Sequence, residues 1–108
     1  MYEIYELEFI PEVLYGAAYR KSLTTLFPRF LKAMAKYHDA DIRRYFKDAF
    51  GYEGSIEESA NKMTELFTGF GIDMYFEGEA SPEKIKEIDI LTMLSPDEVT
   101  DMMKECLR

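Results

Sequence analysis

Few side chains in this sequence have the chemistry to act on a ligand, and one of them is unique. His38 is the single histidine in 108 residues. At helical spacing it stands between Met34 and Ile42, near the middle of an apolar arc, with Asp41 one turn further on and Tyr37 and Tyr45 in the same stretch. An imidazole in apolar surroundings, oriented by a carboxylate, can hold a ligand or move a proton at neutral pH. His38, Met34, Tyr45 and Asp41 are therefore the expected ligand-binding residues. The competing expectation is a small enzyme or proton relay centred on His38, with Asp41 as orienter and Tyr37 or Tyr45 as acid. A neutral histidine satisfied within a core or interface explains the same residues with no activity at all. No serine stands in a G-x-S-x-G elbow to complete a hydrolytic triad, so no catalytic residue is assigned, and the balance is against an enzyme.

The second chemical feature is a basic stripe. Arg29, Lys32, Lys36, Arg43 and Lys47 share one sector of the same expected helix. An ordinary solvated helix face has this pattern, and so does a docking surface for an acidic partner. Residues 1–50 carry eight Lys/Arg against seven Asp/Glu, whereas residues 51–108 carry five against fourteen. The acidic partner best matched to the stripe is thus the second half of this chain or of a second copy, and the partner expected is another copy in a homodimer or an acidic protein.

Other chemistries are poorly served. Cys106 lies in the last turn of a helix beside Glu105 and Asp101, a setting that disfavours a thiolate. One His and one Cys cannot make the usual zinc sites. The acids Glu77, Glu79, Glu83, Glu87 and Asp89 lack the spacing of a calcium loop, so no metal is expected. The glycines match neither a dinucleotide fingerprint nor a P-loop, and no cofactor is expected. The net charge of −8 disfavours nucleic acid and anionic membranes. No apolar run approaches the roughly 20 residues of a membrane helix, the start lacks the basic residues of a signal peptide, and a lone cysteine fits a reducing cytoplasm. Eight Phe, eight Tyr and seven Met are ample for one core, with a surplus of the kind found in pockets and interfaces.

The elements that must position these residues follow from periodicity. Residues 2–10 mix Tyr, Ile and Phe with Glu3, Glu6 and Glu8 and read as a strand ended by Pro11. A helix is expected from Glu12 to about Phe27, broken at Pro28, with a long helix from Arg29 to Phe50 capped by Gly51. Ser55 and Glu58 form a capping box for the next helix. Ile72, Met74 and Phe76 alternate with Asp73, Tyr75 and Glu77 as a second strand able to pair with the first. Ser81-Pro82-Glu83 and Ser95-Pro96-Asp97 each open a helix, and residues 88–93 read as a third strand or more helix. The expectation is one domain over residues 1–108 of α+β class, mainly helical, with four to five helices on a small two- or three-stranded sheet. The function expected is that of a non-enzymatic binding or interaction module.

Overall fold

The apolar residues Ile4, Leu7, Ile10 and Leu14 recur every three to four positions, and the computed structural model, which describes residues 3–108, turns them to one side of helical chain. Helix α1 spans Glu3–Leu7 and α2 spans Phe9–Tyr15. Glu8 between them keeps helical backbone angles, and its N–H bonds to the Ile4 carbonyl, so the two form one rod. The strand expected over residues 2–10 is therefore helix from Glu3 onward, Tyr2 lying outside the described residues. Pro11 sits in the first turn of α2, and its missing N–H leaves the Leu7 carbonyl without a helical donor where α1 gives way to α2. Gly16 ends the rod at φ 65°, in the left-handed region, with its N–H on the Glu12 carbonyl.

Helix α3 runs from Tyr19 to Ala33 and α4 from Ala35 to Phe50. The break expected at Pro28 does not occur. Pro28 is buried inside α3, and the interruption falls at Met34, with a second irregularity at His38 (φ −139°, ψ 41°). Helices α5 (Ile56–Gly69), α6 (Pro82–Lys86) and α7 (Pro96–Glu105) complete the order. Their starts are those the serine motifs specify: Ser55, Ser81 and Ser95 accept from the N–H groups of Glu58, Lys84 and Glu98, but the capping box expected at Ser55 and Glu58 has only its serine half, and it is Ser95 with Glu98 that forms a full one. The long helix α3 is the centre of the packing, with α1, α2, α4, α5 and α7 against it. Leu7, Ile10, Leu26, Phe30, Met34, Ile42, Phe46, Met63 and Met103 are fully buried between these helices.

The fold is all-helical, which corrects the α+β class: the described residues contain no sheet. Residues 72–77 belong to no helix, and Met74 and Phe76 are buried as the alternation predicts, whereas Ile72, the third residue of that set, is exposed. What is missing is a partner strand, because the residues expected to provide it are α1 and α2. A row of side chains one turn apart on α3 takes that partner's place. Lys21 donates to the carbonyls of Asp73 and Tyr75, Thr25 to that of Asp73 at 3.4 Å, and Arg29 to that of Met74 at 2.7 Å. On the other side a single parallel bridge joins Phe76 to Leu107. Residues 88–93 are irregular, and the segment is anchored by the partly buried Ile88 and Ile90 and by buried Leu94.

Candidate functional site

A helix whose apolar residues recur at three and four has one face to bury, and the α1–α2 rod has two. Ile4, Leu7 and Ile10 enter the core. Tyr5, Phe9 and Val13, spaced four apart, form a second row on the outside and are 54%, 54% and 59% exposed. The row runs along about 12 Å of helix, from a rise of about 1.5 Å per residue. At its Tyr5 end it meets an apolar groove of about 290 Å³ lined by Ile4, Tyr5, Leu23, Thr24, Phe27 and Phe67, from α1, α3 and α5. A void of about 150 Å³ accepts a benzene ring, so the groove has room for a large side chain. Tyr45 packs edge-on against Phe27 at 5.9 Å and belongs to a cluster with Phe46 and Phe50, which fixes the floor of the groove from behind. Burial raises the Tyr45 hydroxyl above its ordinary pKa.

The rod itself carries charge of one sign, and Arg20 stands one turn before Leu23 and Thr24 on the α3 side of the groove. Glu3, Glu6, Glu8 and Glu12 lie on the rod, and the first Lys or Arg of the chain is Arg20. Among the described residues none of these four carboxylates joins an ion pair, and Glu3 accepts the Met93 N–H. Glu8 is only 3% exposed, and its Oε2 has no hydrogen-bond partner. Burial, then a hydrogen bond with Glu12 and the charge of Glu12, push its carboxyl up to about 7.

The residues expected to bind a ligand are not assembled into a site. Met34 is fully buried at the α3–α4 break. His38 is half-buried four residues on, and the helix assumed to be continuous through both is interrupted at each. Asp41 is exposed and faces Arg44 at 3.9 Å, with no hydrogen bond to the His38 ring among the described residues. Tyr45 belongs to the aromatic cluster instead. Five of the grooves among the described residues are lined by other side chains, and none of these five by His38. Among the described residues no cluster of His, Cys, Asp or Glu could hold a metal ion.

The basic stripe is broken up and largely spoken for within the chain. Arg29 is 6% exposed, with its guanidinium on the Thr25 and Met74 carbonyls and over the Tyr75 ring. Lys32 pairs with Glu105 at 3.3 Å and Lys36 with Glu98 at 2.7 Å, across an open charged groove of about 490 Å³ between the α3–α4 junction and α7. Lys36, the Ser95 N–H and the Tyr37 hydroxyl hold Glu98 down to about 2. Arg43 pairs with Asp39 and Lys47 with Glu53.

No protein-family model, no curated protein and no solved structure matches this chain. The site therefore rests on geometry. Its residues Tyr5, Phe9, Val13, Leu23, Phe27 and Phe67 were not singled out by sequence reasoning. The signal that finds them is the pair of helical stripes in residues 4–13, one apolar row one step round from the other, which a strand reading of the segment hides.

Proposed function

We propose that this chain is a non-enzymatic interaction module that binds a partner protein through the face formed by Tyr5, Phe9 and Val13 and the adjoining groove. One observation carries the reading: three large apolar side chains in a row, each more than half exposed, open onto an apolar groove. Exposed apolar side chains standing singly are ordinary on a small protein. A contiguous row is different, because it holds a patch of about 300 Å² in water with nothing gained in the single chain. Helix-in-groove recognition uses anchors at this spacing. The lone free cysteine, buried at the end of α7, fits a reducing cytoplasm as its setting. Among the described residues no helix is long and apolar enough to cross a membrane.

The test is binding of a fluorescent apolar dye to the whole chain, compared with Phe9→Ser and Val13→Ser, alongside far-UV circular dichroism and light scattering at low and high salt. The expected result is dye binding by the parent, a several-fold loss in each variant, and unchanged helicity and melting. Equal dye binding by the variants refutes the reading. A dimer that dissociates in Phe9→Ser identifies a second copy as the partner bound on this face.

A further inference from the structure

The partner's chemistry can be read from what surrounds the row. The rod from Glu3 to Tyr15 carries four glutamates and no cation. Elsewhere on the molecule some acids pair within the chain, as Glu98 does with Lys36, Glu105 with Lys32, Asp73 with Lys21 and Arg108, and Glu53 with Lys47, while others such as Asp48, Glu65, Glu87 and Asp97 have no ion-pair partner among the described residues. Exposed Glu6 and half-buried Glu12, which flank Tyr5, Phe9 and Val13 in the sequence, have no such counterpart among the described residues. What sets Glu6 and Glu12 apart is their place, on either side of an exposed apolar row.

Resting on the interaction reading above, we infer that the occupant of this face is a basic amphipathic helix of another protein, its apolar residues meeting Tyr5, Phe9 and Val13, with one in the groove, and its Lys or Arg residues meeting Glu6 and Glu12. An α-helix fits because the row is a straight ridge at four-residue spacing, which packs into the complementary groove between rows of a second helix. A positive helix fits because charge on the rim sets partner choice and association rate, and like charge across an interface is penalised. A second copy on the same face would oppose two sets of these glutamates in a chain already at −8. An anionic membrane meets the same repulsion. The row is small for an interface, which places the complex among weak, exchanging ones with Kd in roughly the micromolar range.

The experiment titrates the whole isotopically labelled chain by NMR with three capped 18-residue amphipathic peptides, Leu/Lys, Leu/Gln and Leu/Glu, and with vesicles of phosphatidylcholine and phosphatidylglycerol. The Leu/Lys peptide is expected to shift resonances of residues 3–27 and 67, to weaken with salt, and to bind about tenfold more tightly than Leu/Gln, with Leu/Glu weaker still. Phe9→Ser is expected to weaken it by about tenfold or more, Glu6→Gln with Glu12→Gln by several-fold, and Glu83→Gln with Glu87→Gln not at all. Leu/Gln bound as tightly as Leu/Lys, both sensitive to Phe9→Ser, overturns the basic partner and leaves the interaction face standing. Binding of Leu/Lys that ignores Phe9→Ser, or that maps to residues 77–101, overturns the site as well. Binding to the vesicles through Phe9 overturns the helical protein partner in favour of a lipid surface.

Discussion

Glu8 sits where α1 meets α2, behind the exposed row, with one carboxylate oxygen buried and unpartnered. Its carboxyl is pushed from an ordinary 4.5 to about 7, first by burial and then by Glu12, which makes this acid a stability switch with a definite sign. The folded chain holds the Glu8 proton more tightly than the unfolded chain does. Below 4.5 both states carry it and the contribution to stability is fully present; between 4.5 and about 7 the unfolded state has released it, and stability falls with rising pH; above about 7 both have lost it and the contribution is gone. A difference of about 2.5 in pKa, at 1.36 kcal/mol each, is about 3 kcal/mol. Glu8→Gln removes the ionisation while its amide can donate to Glu12 as the protonated acid does. The variant is expected to match the parent near pH 4 and to exceed it by about 3 kcal/mol near pH 8. At a urea m-value of about 1.5 kcal/mol per M, the unfolding midpoint moves by about 2 M. Urea titrations of both proteins across that range, followed by circular dichroism, isolate the interacting Glu8–Glu12 pair, because the titrating groups outside it are common to the two. A difference between parent and variant that stays constant with pH refutes the reasoning.

Two further predictions concern groups the fold has taken inside. Arg29→Ala strips the Met74 carbonyl of its charged donor and leaves a void beside Tyr75, and is expected to lower stability by about 3 kcal/mol in the same urea assay; a loss below about 1 kcal/mol would mean that the extended segment is held by its burial alone. Cys106 is fully buried, its thiol pushed up to about 12 chiefly by that burial, so it should react with a disulfide reagent near pH 8 only as fast as the chain unfolds, and immediate stoichiometric labelling of the native protein would contradict this.

The parts of the fold legible in the sequence are those decided within one turn of chain. Ser55, Ser81 and Ser95 cap their helices because a serine oxygen and the N–H three residues on meet whatever the rest of the molecule does. The alternation of residues 72–77 put Met74 and Phe76 inside, as found, but also Ile72, which is exposed. Its inference of a sheet failed because pairing is non-local: the carbonyls were met by Lys21, Thr25 and Arg29, a partner no strand pattern predicts. The same contact explains Arg29, expected on the surface with Lys32 and Lys36 and found inside. Residues 2–10 contain both a near-alternation and a three-to-four repeat, and tertiary packing of Ile4, Leu7 and Ile10 against α3 decided between them. Pro28 was expected to break a helix, but a buried ring in the middle of α3 offsets the lost bond, and the break moved to Met34. The apolar arc that placed His38 between Met34 and Ile42 assumed unbroken turns, and the chain is irregular at Met34 and at His38 itself.

The exposed row and the buried charges pose one question together: why a chain that admits Glu8 and Arg29 to its interior leaves Tyr5, Phe9 and Val13 in water. Arg29 has an account inside the molecule, since its donors replace a missing strand. The row has none. Polar residues at these three positions would leave the contacts of Ile4, Leu7 and Ile10 unchanged, would raise the helix's solubility, and would cost the isolated fold little, because side chains more than half exposed contribute only part of the roughly 25 cal/mol per Å² that full burial gives. Removing the neighbouring glutamates would likewise relieve repulsion in a chain of net charge −8. Both features are unfavourable or idle in the single chain and become favourable together against one kind of surface, an apolar ridge edged with cations. The proposed partner would give the flanking acids and the exposed row a common physical cause.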